Sequence, residues 1–536
     1  MKIIIVDANA TRNGKRKTTR DVIGAGPRHI AGLLDNMGLI YRIYGAEEVL
    51  EGKTDLRDYN EILVSGMTSD ITAVRRVVTL WRKRSQGPVT IGGPISSSAE
   101  DALVRAKGDL AVIGEGEQTI VELLKLGLNE GQLPKINILS HVPGIAYLEN
   151  GAVKITGLRP VMRREDYDRL TPSTRAIKDY PLYHAARVYV EALRGCSNYL
   201  RAKIKQPAGT CISCSKCATG PLEQRYDCPL GLPPGCGYCS VPSLYGPPKS
   251  RSVAKILAEV EGLLDKGVRR IVLSAPDFLD YGRDLLVEPE PLTDPRYPEP
   301  SYEEIEELLS RLTGIKDVQE NEASIMLENL KGSLVTERAA ELLGRYLAGT
   351  PVSIGFETGS ESHSTQLGRP STPRETIRAI ALLRKAGLKP YVYFIHGLPG
   401  QTVETASESV KAIGKSVQAG AARIIMYRFQ SLPMSAFHEQ PSAPPAVREP
   451  LSKSIHDAAL KANRALKEDY IGKTLRVVVA EPYERDKRLY VAYPMLHGPV
   501  VLLEGQKGFE GRIMDVIVSS VVSDRMVRGR PVDASL

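Results

Sequence analysis

The stretch Cys211–Pro242, CISCSKCATGPLEQRYDCPLGLPPGCGYCSVP, holds six of the chain's seven cysteines. The seventh, Cys196, lies just upstream in EALRGCSNYL. No other position among the 536 residues carries one. A disulfide framework scatters cysteines along a secreted chain. Thiols gathered in one place in an intracellular protein read as metal ligands instead.

Two ligand sets compete. Cys214-x2-Cys217 with Cys236-x2-Cys239 has zinc-ribbon spacing and would brace the loop, leaving Cys196, Cys211 and Cys228 idle. The other set uses all seven. Cys211-x2-Cys214-x2-Cys217, followed by Cys228-Pro229, resembles a ferredoxin run for a cubane iron–sulfur cluster. Cys196, Cys236 and Cys239 then form a trio. Three thiolates on a four-iron cube leave one iron open to a substrate or cofactor, as an open zinc position does.

The totals set the frame. A chain of 536 residues is too long for one core, so two to four domains are expected. Hydrophobic content of 42% and charged content of 25% are those of an ordinary globular protein. No apolar run reaches membrane-span length, and MKIIIVDANATRNGKRKTTR at the N-terminus lacks a signal-peptide apolar core, so a cytoplasmic protein is expected. A formal charge of +8 suits an anionic ligand or partner.

The first 150 residues alternate strand and helix patterns. KIIIVDA, LIYRIYG, YNEILVSGM, GPVTIGGP and GDLAVIGEGE read as strands, and DITAVRRVVTLWRKR as an amphipathic helix capped by Asp70. This βαβ rhythm predicts a doubly wound parallel sheet ending near residue 130. Ligands of such sheets lie beyond the strand carboxyl ends. Three ends carry suggestive loops: Ser65–Asp70 (SGMTSD), Gly92–Pro94 and Gly114–Glu117. Residues 151–185 read as a linker, and 284–301, rich in proline, as a surface loop. From residue 186 to about 430 the alternation resumes, which predicts a partial (β/α)6 barrel with chemistry at its strand C-termini. A connector over 431–469 leads to a β-rich segment, 470–536, expected to form a small barrel.

The motifs of the middle segment resemble the radical S-adenosylmethionine (SAM) family. RGCSN looks like the start of its C-x3-C-x2-C motif and PGCGYCSVP like its end, with the first gap grown to 39 residues by the cysteine-rich insertion. The resemblance implies that Cys196, Cys236 and Cys239 hold the SAM-cleaving [4Fe-4S] cluster. It implies a second, auxiliary [4Fe-4S] cluster on Cys211, Cys214, Cys217 and Cys228. Tyr238 stands where an aromatic packs near adenine, and SAPDF (Ser274, Ala275, Pro276 onward) where the family contacts the SAM amino group. GFETGSESHSTQLGRPSTPRETI supplies Glu357 and Ser360 as further SAM contacts, and FIHGLPGQT matches the fifth-strand segment.

The N-terminal segment resembles the cobalamin-binding domain that often precedes this core, through LVSGMTSD, IGGP and VIGEGE. That implies contacts from Met67, Thr68, Ser69, Asp70, Gly92, Gly93, Pro94, Gly114, Glu115, Gly116 and Glu117. With no D-x-H-x-x-G, no histidine is expected below the cobalt. YIGKTLRVVVAE and GRIMDVIVSSVVSDRMVRGRPV resemble a TRAM domain. Together these resemblances imply a cobalamin-dependent radical SAM C-methyltransferase, cleaving SAM to a 5′-deoxyadenosyl radical and delivering a methyl group from methylcobalamin. Relatives act on protein residues, including a glutamine or arginine of methyl-coenzyme M reductase, or on antibiotics and lipids. A protein or peptide substrate is expected first, tRNA second and a lipid third, with an external electron donor. The competing class is a zinc-braced cobalamin-binding protein without radical chemistry.

Overall fold

The computed structural model describes residues 2–16, 20–204, 214–523 and 525–532. The chain forms two compact units, Met1–Val190 with Ala254–Val268, and Glu191–Val253 with Arg269–Leu536.

The first unit is built on seven strands: β1 (Lys2–Asp7), β2 (Ile40–Gly45), β3 (Glu61–Ser65), β4 (Val89–Gly92), β5 (Leu110–Val112), β6 (Ile145–Glu149) and β7 (Ala152–Ile155). Their order in the sheet is β2-β1-β3-β4-β5-β6-β7. β1 to β5 run parallel. Ile3, Ile4, Ile5 and Val6 are all buried, as an unbroken apolar run should be when both faces are covered. Helix α1 (Gly26–Asn36), α2 (Ile71–Arg82) and α3 (Gly116–Lys125) follow β-strands. α2 buries Ala73, Val74, Val77, Val78 and Trp81, one stripe at helical spacing. The strand order reverses between β1 and β3, which makes their carboxyl ends the switch point where a ligand fits.

The sheet runs past the expected end near residue 130. β6 and β7 pair antiparallel across Asn150-Gly151, both in left-handed backbone (φ 51 and 80), a two-residue hairpin turn. The expected linker is also docked. Ser173 meets the Tyr41 hydroxyl at 3.0 Å, Asp179 accepts from the Ile43 N–H at 2.9 Å, and the Tyr180 hydroxyl donates to Asp7 at 2.9 Å.

In the second unit β8 (Arg270–Ser274) pairs in parallel with β9 (Ser324–Leu327). β10 (Asn329–Leu330), β11 (Pro351–Glu357), β12 (Lys389–His396) and β13 (Arg423–Arg428) form a parallel sheet in chain order. Helices α4 (Tyr302–Thr313), α5 (Glu337–Leu347), α6 (Pro373–Lys385) and α7 (Val403–Gln418) alternate with these strands, as expected of a partial barrel. Val352, Ile354, Phe356, Val392 and Phe394 are buried on the outer face. Ser353, Tyr393, Ile395 and Tyr427 alternate with them on the lumen face.

Five strands, β14 (Thr474–Pro482), β15 (Leu489–Pro494), β16 (Val500–Glu504), β17 (Ile513–Val521) and β18 (Met526–Pro531), close a small barrel around Val477, Val479, Val501, Leu503 and Val516. It is seated on the amino ends of the parallel strands. Arg270 lies 5.5 Å from the Tyr493 ring centre, and the Ser324 hydroxyl donates to the Met495 carbonyl at 2.7 Å. His497, set in the turn-like LHGP, is wedged between the Tyr391 and Tyr470 hydroxyls. The small barrel thus floors the parallel-strand lumen at the rim opposite the strand carboxyl ends.

Two other expectations change. The proline-rich 284–301 segment is anchored, with Asp284, Leu292, Thr293 and Ser301 buried. The 431–469 connector, expected to be helical, is irregular until a turn of 3-10 helix at Ala446–Arg448 and then forms α8 (Pro450–Glu468); its irregular part straps across the cysteine loop through Phe437.

Candidate metal and cofactor centre

Cys196 follows a two-residue strand, Leu193–Arg194, paired with Lys249–Ser250. Its N–H donates to the Gly246 carbonyl at 3.1 Å. Gly195 is needed there: at φ 91 a Cβ would sit 2.1 Å from the Pro247 carbonyl oxygen. Asn198 then joins the two halves of the motif. Its N–H donates to the Cys196 sulfur at 3.5 Å, and its side-chain amide donates to the Cys236 sulfur at 3.3 Å and to the Gly368 carbonyl at 3.0 Å. Phe437 packs over Gly237, where a Cβ would lie 2.4 Å from the ring. Leu367, Leu398, Phe429 and Phe437 back this loop and keep water from it.

Loss of solvent is the largest influence on two of the thiols. It pushes Cys196 up to about 11, Lys331 opposing, and Cys239 up to about 12, with Cys236 and Cys196 adding to the rise. Such thiols become thiolates only against a compensating positive centre, which is what iron supplies. Among the described residues no three His, Cys, Asp or Glu converge on a single-ion site. Thiolates are the soft ligands that iron–sulfur clusters take, and Cys196, Cys236 and Cys239 are the thiols gathered at this turn.

Behind Cys196 lies a buried ionic network. Lys331 donates to Asp280 at 2.6 Å and to the Ser197 hydroxyl at 2.7 Å, and lies 3.1 Å from Asp277. Arg283 completes it through Asp280. The Asp280 carboxyl titrates below its usual range despite burial, because Lys331 and Arg283 favour the charged form.

Tyr238 and Glu357 meet through Arg369. Its guanidinium bonds the Tyr238 hydroxyl, pairs with Glu357 at 3.0 Å and donates to the Gly355 carbonyl at 2.8 Å. Glu357 sits at a bulge with φ 64, which turns its carboxylate aside, and Gly355 leaves room for it: a Cβ there would be 2.6 Å from Glu357 Oε1. Burial raises the Glu357 pKa, and Arg369 opposes it. Arg369 Nε is buried with no protein partner, a donor that a ligand carboxylate or hydroxyl would satisfy. Ser274 donates to Glu328 at 2.7 Å, and the Ala275 carbonyl accepts from Asn329 at 3.4 Å. Ser360 is buried and meets the Ser362 hydroxyl at 3.2 Å. Pro276 is partly exposed beside them.

Cys217 and Cys228 are both felt by the Arg201 guanidinium, while Cys236 and Cys239 side with Cys196. Arg201 is itself pinned within the insertion, donating to the Leu232, Arg225 and Tyr226 carbonyls at 2.8, 3.0 and 3.1 Å. Cys214 is partly exposed, and Cys211 lies outside the described residues. Arg225 pairs with Asp294 at 2.9 Å, anchoring the insertion to the proline-rich segment.

In the first unit the expected loops pack on one another at the switch point. The Gly66 N–H donates to the Gly92 carbonyl at 3.2 Å, and the Ile95 N–H to the Gly66 carbonyl at 3.0 Å. Gly93 has φ 80, and Pro94 opens a short turn of helix. A Cβ on Gly92 would meet nothing within 4 Å, so open space adjoins the loop. The Thr68 hydroxyl is buried without a protein partner, Ser69 is partly buried, and Met67 is 49% exposed. These are features of a cradle. Asp70 makes no side-chain cap; it is fully buried and accepts from the Ala10, Arg12 and Met67 N–H groups at 3.2, 2.9 and 3.1 Å. Gly114 turns with φ 80 and Gly116 opens α3. Glu115 accepts from the Met162 N–H at 2.6 Å and Glu117 approaches His29 at 3.7 Å, so both carboxylates turn inward. Asp70, Glu115 and Glu117 shape their loops.

Sequence reasoning missed Asn198 as a thiol partner, and it missed Arg369 and Lys331 altogether. Arg369 lies in the quoted LGRPST, and only its burial reveals its part. Residues 226–413 match the model of the Radical SAM superfamily. Along the whole chain, the uncharacterized protein MK0932 of Methanopyrus kandleri is 42% identical over 99% of this chain and 96% of its own length. The uncharacterized protein MJ1620 of Methanocaldococcus jannaschii is 40% identical over 96% of each. The fold is shared with the radical S-adenosylmethionine methyltransferase TsrM of Kitasatospora setae, solved with cobalamin and a [4Fe-4S] cluster bound. The TM-score is 0.57 at 16% identity, covering 82% of this chain and 77% of TsrM. Among the described residues no helix is long and apolar enough to cross a membrane.

Proposed function

The chain belongs to the family of these Methanopyrus and Methanocaldococcus proteins and carries a radical SAM domain, and from that premise we propose a cobalamin-dependent radical SAM C-methyltransferase acting on a protein or peptide. The observation that carries the reading is Asn198 tying Cys196 to Cys236 beside the Tyr238–Arg369–Glu357 group.

Cys196, Cys236 and Cys239 would hold the core cluster. Tyr238, Ser274, Ala275, Pro276, Glu357 and Ser360 would line the SAM site, with Arg369 added. The loops at 67–70, 92–94 and 114–117 would frame cobalamin without a lower histidine. Bound together, these cofactors supply a radical able to take hydrogen from an sp3 carbon and a methyl group to replace it. The residues orient and exclude water. Arg369 opposes the burial that raises the Glu357 carboxyl and so favours its charged form toward the cationic part of SAM, and the Phe429–Phe437 cluster shields the cysteine loop. Lys331 and Asp280 fix Ser197, and so the turn that presents Cys196. The insertion would hold a second cluster braced by Arg201 and accept electrons from an external donor.

A peptide segment can enter at the strand carboxyl ends. The small barrel, seated on the opposite rim, then acts as a floor.

The test is anaerobic reconstitution followed by metal, sulfide and cobalamin analysis. About eight irons per chain with matching sulfide are expected, four for each cubane. One bound cobalamin is expected, whose cob(II)alamin resonance lacks nitrogen splitting from an axial ligand. Zinc without sulfide would overturn the reading.

A further inference from the structure

Three strand ends deliver charges to the turn that carries Cys196. That turn follows the strand Leu193–Arg194, Asp277 and Asp280 stand in the turn after β8, and Lys331 directly follows β10. Lys331 is anchored by its main chain as well, its N–H donating to Asp277 at 3.1 Å. Asp277 also accepts from the Leu279 N–H at 3.2 Å. Asp280 accepts from the Ser197 N–H at 3.3 Å and from the Ser197 hydroxyl at 3.0 Å. Both carboxylates are fully buried, and the Lys331 side chain is 10% exposed. Charges so enclosed are poorly screened and act strongly on what lies beside them.

Pinning the turn does not require a charge at position 331. Asp280 already holds Ser197 through its N–H and its hydroxyl, and Arg283 pairs with Asp280 while tied to the Pro298 and Asp294 carbonyls at 2.8 and 3.2 Å. Enclosing a further ammonium costs free energy that a neutral donor would avoid. The Lys331 ammonium nonetheless reaches the Ser197 hydroxyl at 2.7 Å, one residue from the thiol, and it acts on Cys196 more strongly than Asp280 does. The balance of these two charges at Cys196 is therefore positive. An iron–sulfur group gains negative charge when it takes up an electron, so a cation beside one of its sulfur ligands favours the reduced form.

We infer that Lys331, acting from beside Ser197, raises the reduction potential of the iron–sulfur group on Cys196 and so eases its one-electron reduction by the external donor. The inference rests on the proposed reading in taking Cys196, Cys236 and Cys239 as the ligands of that group. It gives Lys331 an electrostatic part separate from holding the turn, and it gives Asp280 the opposing sign.

The test is a redox titration of the full-length, anaerobically reconstituted protein, followed by electron paramagnetic resonance with and without SAM. The signal that SAM alters reports the cluster with an open iron. Lys331→Gln keeps a donor for Ser197 and loses the charge. It should make one-electron reduction about tenfold less favourable, which lowers the potential by ~59 mV. Lys331→Arg keeps the charge and should stay close to wild type. Asp280→Asn should shift the potential upward. Ser197→Ala removes the tether and keeps the charge, so its potential should stay near that of wild type. Unchanged potentials in both Lys331→Gln and Asp280→Asn, or an equal drop in Ser197→Ala and Lys331→Gln, overturn the inference. If Lys331→Gln takes up no iron, Asp280→Asn decides alone, and the lack of an upward shift overturns the inference. Wild-type protein with no SAM-responsive signal contradicts the methyltransferase reading and the inference together. A SAM-responsive signal whose potential ignores both charges contradicts the inference alone.

Discussion

Arg369 pairs with Glu357 at 3.0 Å and bonds the Tyr238 hydroxyl, so one guanidinium joins the end of β11 to the loop between Cys236 and Cys239. Removing it leaves a buried carboxyl without its compensating charge. Arg369→Ala should therefore weaken SAM binding about tenfold or more, measured by anaerobic equilibrium dialysis. The sign of its pH dependence follows. Burial already raises Glu357, and without Arg369 it rises further, so the carboxylate is recovered only as pH increases. SAM affinity of the variant should climb between pH 6 and 9 more steeply than that of wild type. Equal slopes would remove Arg369 from the site.

His497 tests the seating of the small barrel. It shares hydrogen bonds with Tyr391 at 2.8 Å and with Tyr470, and burial, aided by Lys389, Arg423 and Arg384, depresses its pKa to about 3. The folded protein keeps this imidazole neutral while the unfolded chain takes up a proton below about 6.5. Its contribution is thus present above that pH and lost as pH falls towards 3, up to about 5 kcal/mol in all. Denaturant unfolding at pH 7 and pH 4 should show the gap between wild type and His497→Gln narrowing in acid. A constant gap would mean that the histidine is solvated.

Asp7 has the opposite sign. Burial raises its carboxyl from 3.8 to about 6, with Tyr180 and Arg16 opposing. The folded state therefore binds a proton that the unfolded chain has released. Stability is greatest below about 4 and falls as pH rises through about 6, by on the order of 3 kcal/mol. Asp7→Asn keeps an acceptor for the Tyr180 hydroxyl and should gain on wild type as pH rises from 4 to 7. Thermal unfolding across that range checks it; parallel curves would contradict it.

The fold was legible where one residue's neighbours in sequence decide its state. The apolar run Ile3 to Val6 in KIIIVDA is buried on both faces and reads so. What was hidden depends on distant partners. His497 looks like a turn residue in LHGP until Tyr391, 106 positions away, meets its ring. Arg28, Arg201, Arg251 and Arg283 are charged residues that sequence assigns to the surface, yet all are buried. Arg28 reaches Glu259, and Arg283 reaches Asp280, through bonds that no periodicity predicts. The Asn150-Gly151 hairpin was readable from its dipeptide and lay past the assumed end of the sheet.

The most direct measurement of the central claim is the yield of 5′-deoxyadenosine from SAM by anaerobically reconstituted, reduced protein. Wild type should produce it. The variant with Cys196, Cys236 and Cys239 all changed to Ala should produce none, while still retaining about four irons on the insertion cysteines. A triple variant that continues to form 5′-deoxyadenosine would contradict the assignment of these three residues, and with it the site built around Asn198.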